Sequence, residues 1–170
     1  MGIGEYLQSH LLLTDGAMGT YYAEIKKQES LVSEWANIRE PEVVAGIHRA
    51  YLRAGAMLLR TNTFAASRQA LGVDITGQEE IVRAACRIAK AEISAYTEET
   101  GRKCFLAGDI GPLKEILENG ENVDVGEEYR TLVDLFLEEG VDALWFETFP
   151  DLGRMGEAAA YAKLRKPDLF

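Results

Sequence analysis

The chain has 170 residues, with 28 acidic against 18 basic side chains and a formal net charge of -10, so nucleic acid or an anionic membrane surface is repelled at long range and is not an expected partner. With 47% hydrophobic and 27% charged residues, the composition fits a soluble globular fold with a sizeable core, and one domain over 1–170 with no internal boundary is expected. Two cysteines, Cys86 and Cys104, are too few for a disulfide scaffold or a metal knuckle and read as buried structural thiols.

The start "MGIGEYLQSH" lacks the basic and long apolar segments of a secretory signal, and no run approaches the ~18 apolar residues of a membrane span. A cytoplasmic protein is expected. The apolar run "LLLT" then stops at Asp15 and passes into the small residues of "DGAMGT". Tyr21 to Glu40, with Trp35 and Asn37, reads as an elaborated first loop.

From there one phrase recurs three times: an amphipathic helix, a glycine, an apolar strand. In the first copy Pro41 suits the first helical turn, Val43, Val44, Ile47, Tyr51 and Ala54 recur at three- and four-residue steps, and Gly55 fits a left-handed stop before "AMLLRT". In the second, Thr76 and Glu79 have capping-box spacing ahead of Ile81, Ala85 and Ile88, and Gly101 closes the helix before "CFLAG". In the third, Asp124 and Glu127 precede Tyr129, Leu132, Val133 and Phe136, with Gly140 as the stop before "ALWFE". A further helix is expected in "LGRMGEAAAYAKLRK".

These strands are nearly continuous in apolar character, which predicts a parallel sheet covered on both faces and an α/β fold. Alternation of strand and helix leaves a doubly wound open sheet or a (β/α)8 barrel. No Gly-x-Gly-x-x-Gly follows the first strand, so a dinucleotide site is not claimed. Eight units need ~250 residues. Four strand-helix units here make either an open sheet or the first half of a barrel, whose uncovered strand edges would favour a homodimer.

In either architecture ligands sit beyond the carboxyl ends of the strands. Those ends carry Asp15; Thr61, Asn62 and Thr63; Asp109; and Glu147 with Thr148. Asp15 and Glu147 can flank an ammonium group while the backbone of Gly16, Ala17 and Met18 holds a carboxylate, an arrangement suited to an α-amino acid. Asp15 can equally be a turn cap, as Asp-Gly often is, and Glu147 a solvated strand end. Asn62 and Thr63 can orient a substrate, with Phe64 as an apolar wall, or be ordinary loop residues. "GDIGP" is expected to turn sharply at Gly111 and Pro112. His10 and His48 lie before the first strand and within the first helix, so neither is placed for catalysis. A glycosidase with Glu147 as its acid is a further possibility. It needs a second carboxylate roughly 5 to 9 Å away, which Asp15 could supply.

The segments "LTDGAMGT", "EPEVVAGIHRAYLRAGAMLLRTNTFAASRQAL", "LAGDIGPL" and "EEYRTLVDLFLEEGVDALWFETFPDL" resemble, in order and spacing, the N-terminal half of the homocysteine S-methyltransferase domain. The resemblance implies a TIM-type (β/α)8 barrel, about four of whose units are present, that moves a methyl group onto the sulfur of homocysteine to give methionine. It places the substrate ammonium on Asp15 and Glu147, and the substrate carboxylate on Gly16, Ala17 and Met18. It also implies zinc, which deprotonates the substrate thiol and is held by cysteine motifs of the barrel's second half. None of those motifs occurs here, so the zinc ligands are expected beyond residue 170 and this chain alone is expected to be inactive. The methyl donor is left open, with methyltetrahydrofolate and methylcobalamin among those used by relatives. The alternative is a non-catalytic half-barrel binding or assembly module. The assignment of the two acids fails if they lie at distant poles or if each is clamped by an arginine.

Overall fold

The structure, a computed structural model, describes residues 2–28, 32–113, 124–150 and 152–170. Three parallel strands, β1 (Leu58–Arg60), β2 (Phe105–Ile110) and β3 (Ala143–Phe146), lie side by side in chain order. Consecutive neighbours joined by helical crossovers are what a (β/α) barrel requires, and no reversal of strand order is present among them. The expected first strand is reduced to one parallel bridge, Thr14 to Leu58. Leu13 O accepts from Met57 N at 2.8 Å and from Leu58 N at 3.2 Å, and Asp15 N donates to Leu58 O at 3.0 Å. Four full strands were expected, and this edge corrects that to three and a bridge: Leu11 and Leu13 are 94% and 58% exposed, so nothing is gained by holding the segment flat. At the opposite edge Phe170 N donates to Asp142 O at 3.4 Å and Phe170 O accepts from Leu144 N at 3.0 Å, the hydrogen bonding of a further parallel neighbour.

The helices are α1 (Ile3–Tyr6), α2 (Met18–Lys26), α3 (Ala36–Arg39), α4 (Pro41–Arg53), α5 (Arg68–Leu71), α6 (Ile75–Thr100), α7 (Val125–Glu138) and α8 (Gly153–Arg165). Pro41 opens α4, and Asp124 caps α7 by accepting from Glu127 N at 2.9 Å. For α6 the capping residue is Asp74, which accepts from Gly77 N at 2.9 Å, and not Thr76. Gly55, Gly101 and Gly140 all take positive φ, which lets each helix end in a left-handed turn and the chain drop into the next strand. The expected first loop is partly helical, as α2, a 3-10 turn at Ser33–Trp35 and α3; its residues 29–31 lie outside the described residues.

Each strand separates two cores, because successive side chains point to opposite faces. Leu58, Phe105, Ala107 and Ala143 pack on the inner face with Ile3 and Tyr6 of α1 closing one end. Leu59, Leu106 and Ile110 face outward into the larger core with α6 and α7, among Val82, Cys86, Leu132, Val133 and Phe136. Gly108 belongs to this outer set for a steric reason: a Cβ there would lie 2.5 Å from Cγ of Phe136. Its absence lets α7 sit close on β2.

Candidate functional site

The strand register assembles the site. Arg60 pairs with Ala107, two residues short of Asp109, and Asp109 pairs with Trp145, two residues short of Glu147. With a side-chain period of two, each step to the next strand keeps the same face and climbs toward the carboxyl end. Arg60, Asp109 and Glu147 therefore form a diagonal on the inner face. Asp15 joins them from the end of the bridged segment.

The guanidinium of Arg60 fills the space between the two expected acids. Its Nε donates to Asp15 Oδ1 at 2.9 Å, its Nη1 donates to Glu147 Oε2, and its Nη2 donates to Gly16 O at 2.8 Å. The Arg60 backbone N–H adds a bond to Asp15 Oδ2 at 2.9 Å, and the guanidinium lies 5.6 Å from the centre of the Trp145 ring. Asp15 and Glu147 thus share one rim, as expected, but they do not face an open gap: a single arginine holds both. This corrects the picture of Asp15 and Glu147 as two carboxylates free for a ligand cation: Arg60 bonds both oxygens of Asp15 and one oxygen of Glu147. The same guanidinium bonds both acids, so neither is the unpaired carboxyl that a glycosidase acid requires.

Burial pushes the Asp15 carboxyl above its usual range, with the Arg60 bonds and charge pulling the other way. Asp109 is pushed up, to about 8, by burial first and then by the nearby Glu147 charge, against the opposing charge of Arg60. Its Oδ1 is buried with no hydrogen-bond partner.

Across the cavity stands the amino end of α2. The turn Gly16–Ala17 leads directly into Met18, no side chain among the described residues caps the helix, and its first turn lines the cavity, where its free N–H groups and the positive end of the helix dipole lie. Tyr51 of α4 fixes this turn: its hydroxyl donates to Ala17 O at 3.0 Å, and a Cβ on Gly16 would lie 2.8 Å from the hydroxyl oxygen. The cavity, about 310 Å3, is lined by Asp15, Gly16, Ala17, Met18, Asp109 and Glu147 among others.

Asn62 and Thr63 also line it, but their polar groups are spent on the protein. Asn62 Nδ2 donates to Ser33 O at 2.7 Å and to Asn37 Oδ1 at 3.0 Å, while its Oδ1 accepts from Ser33 Oγ at 2.8 Å. Thr63 donates to Asp109 O at 2.7 Å, which leaves Thr61 as the donor in the 2.6 Å contact between their hydroxyls. These residues lock the loop after β1 to α3 and to β2. Gly111 N, donating to Phe64 O at 3.1 Å, closes the same side. Thr148, a β-branched residue at φ 55°, holds a conformation such residues rarely adopt.

Arg60 and Glu34 are the charged lining residues the sequence reading passed over. Arg60 had a visible signal, a charge ending the apolar run "LLRT". Glu34, buried and accepting from Ala65 N at 2.7 Å, had none, because its loop follows no period.

Among the described residues no group of three or more His, Cys, Asp or Glu could hold a metal ion. Cys86 and Cys104 are both buried; burial pushes the Cys86 thiol up to about 12 and raises that of Cys104, the opposite of what a thiolate ligand needs. The cysteines present do not fit zinc. No helix among the described residues is long and apolar enough to cross a membrane.

Consecutive parallel strands, helical crossovers and a cavity at the carboxyl ends define a (β/α)-barrel type of domain. A profile of the homocysteine S-methyltransferase family matches residues 12–168, and the chain belongs to that family. A methionine synthase from Mycobacterium leprae is 29% identical over 162 residues, covering 87% of this chain and 13% of that protein. The homocysteine methyltransferase MmuM of Escherichia coli superposes in its metallated form with a TM-score of 0.78 at 24% identity, covering 96% of this chain and 62% of that one. Its apo form gives 0.72 at 25% identity, over 95% and 58%. The chain therefore spans a small part of the first relative and about three-fifths of the second.

Proposed function

We propose that this chain, as the N-terminal half of its domain, supplies the amino-acid-binding part of a homocysteine S-methyltransferase. One observation carries the reading: in a chain of this family, the uncapped amino end of α2 and a row of carboxyl groups share one cavity. An α-amino acid carries one charge of each sign on a single carbon, and this cavity offers a partner for each. The carboxylate of homocysteine lies on the backbone N–H groups at Gly16, Ala17 and Met18, where a helix terminus favours an anion. The ammonium group lies on the acidic side with Glu147. Asp15 acts through Arg60, which it holds in place, and Asn62 and Thr63 hold the wall on which Asp109 stands.

Methyl transfer to the homocysteine sulfur, giving methionine, is the activity of the whole protein in this reading. Zinc belongs to it as the group that lowers the thiol pKa, with ligands other than the two cysteines here. The methyl donor, methyltetrahydrofolate or methylcobalamin among the candidates, does not follow from these residues. A cytoplasmic location is part of the same proposal.

Titration of L-homocysteine into the whole protein, with and without Glu147→Gln, tests the reading. At least about tenfold weaker binding is expected, since a charge-assisted contact is worth ~1.5–3 kcal/mol. Equal affinity of the two proteins would rule it out. A second reading, self-association as a homodimer through the strand edge, has the exposure of Leu11 and Leu13 in its favour. Sedimentation of the whole protein decides it, a concentration-independent monomer excluding the dimer.

A further inference from the structure

Asp109 is the acid on the rim for which no motif supplies a role. Its backbone is fixed, its N–H donating to Thr61 Oγ1 at 3.0 Å and its C=O accepting from Thr63 at 2.7 Å. The register sets its side chain on the inner face between Arg60 and Glu147. It is 6% exposed, lines the cavity, and keeps one oxygen without a partner.

A buried carboxylate lacking a donor is costly, and proteins meet that cost by pairing the group or by protonating it. Among the described residues pairing is closed. The cation facing Asp109 is Arg60, already committed to Asp15, Glu147 and Gly16. The other charged groups acting on it, Glu147 and Asp15, are of its own sign. Burial without a donor therefore favours the protonated carboxyl of Asp109, which can then donate to Glu147, as two carboxyl groups in one site commonly share a proton.

We propose that Asp109 is the acceptor for the ligand's ammonium group, and that its carboxyl proton leaves to solvent as the ammonium arrives. Amino-acid binding then exchanges one proton for one cation; the ammonium keeps its three protons and no covalent bond changes. The proposal rests on the amino-acid reading above and adds the residue that receives the amine. The competing route, in which the ammonium evicts Arg60 from between Asp15 and Glu147, breaks three guanidinium bonds to make at most three. Using Asp109 breaks none of them.

The test uses L-methionine, whose thioether does not titrate, so any proton counted comes from the protein. Calorimetric titration of the whole protein at pH 7 in phosphate and in Tris, buffers with different ionisation heats, counts the protons exchanged. Release of about one proton per methionine is expected, together with roughly tenfold weaker binding on going from pH 7 to pH 6. In Asp109→Asn the release should vanish while weaker binding persists. Binding by the native protein without proton release and with a Kd flat in pH would overturn the assignment of Asp109 and leave the amino-acid reading intact. No binding at all would overturn that reading, and this one with it. Should Asp109→Asn fail to fold, the proton count and pH series on the native protein decide.

Discussion

Arg60 Nε lies 2.9 Å from Asp15 Oδ1, and the Arg60 backbone N–H lies 2.9 Å from the other oxygen of the same carboxylate. One aspartate thus fixes both the strand end and the side chain of the arginine. The guanidinium is in turn the only cation bonded to Asp15 and Glu147 among the described residues. Replacing it in Arg60→Met leaves Asp15, Asp109 and Glu147 facing one another. The folded-state pKa values of Asp15 and Asp109 then rise further above the unfolded ones. A carboxyl raised in this way favours folding at low pH and loses that advantage as pH rises through its folded value. The variant should be less stable than the native protein by about 3–5 kcal/mol at pH 8, as for other broken buried pairs, and by clearly less at pH 5. Denaturant melts at the two pH values check this. An equal deficit at both would mean that the arginine contributes packing and not charge.

Gly16 is held to its identity by Tyr51. A methyl group in Gly16→Ala would come within 2.8 to 3.0 Å of three ring and hydroxyl atoms of Tyr51, so either the ring moves or the turn does. Moving the ring loses the 3.0 Å bond to Ala17 O; moving the turn misplaces the N–H groups at the start of α2. Amino-acid binding should weaken about tenfold or more, with a stability cost of ~1–3 kcal/mol for the overpacking. Titration calorimetry beside a thermal melt separates the two effects. Unchanged binding in a folded variant would mean that this turn does not contact the ligand.

The helices α4, α6, α7 and α8 and the strands between them were legible in the sequence because they follow from repeating local patterns, whereas α2 and α3 fall in what reads as a loop and the patterns leave the order of the strands open. Pro41, Asp124, Gly55, Gly101 and Gly140 act where their own backbone requirements put them. That the strand ends share one cavity was legible for the same reason, since strand ends in a parallel sheet converge. Its internal wiring was not. Whether Asp15 faces a ligand or an arginine is decided by the step of two residues between Arg60, Asp109 and Glu147 along the sheet, and register between distant strands leaves no local mark. Asn62 likewise reads as a substrate contact until Ser33 and Asn37 are brought against it from a loop with no period. The first strand failed differently: "LLLT" has the right composition, but the exposed Leu11 and Leu13 show that an apolar run without neighbours on both sides gains little as a strand.

Glu128 ties three helices at a point away from the cavity. It is fully buried and accepts from Arg68 N at 2.8 Å, Arg68 Nε at 2.6 Å and Gln78 Nε2 at 2.7 Å, joining α5, α6 and α7. Truncation in Glu128→Ala strands a backbone N–H, leaves the Gln78 amide with only its bond to Ala66 O, and leaves Arg68 without its carboxylate partner. A loss of about 3–5 kcal/mol is expected, read by urea denaturation with no change of slope. Glu128→Gln should recover part of it, since an amide oxygen can still accept one of the three bonds. A loss below about 1 kcal/mol for the alanine variant would show that the network does not hold the helices together.

His48 gives the fold a pH limit of its own. The side chain is fully buried in α4, neither ring nitrogen has a partner among the described residues, and burial alone pushes its pKa down to about 4, against about 6.5 for an exposed histidine. Between those values the unfolded chain binds a proton that the folded chain refuses. Stability therefore falls as pH drops from about 6.5 to about 4, by up to ~3 kcal/mol, and this contribution is absent above pH 7. In His48→Leu the ring and its orphaned nitrogens are gone, so that portion of the pH dependence should disappear while stability at pH 7 changes by less than about 1.5 kcal/mol. The buried acids titrate in both proteins and cancel in the difference. Melts of the two proteins at pH 7 and pH 4.5 give the answer: if they lose stability equally over that range, His48 takes no part in acid unfolding.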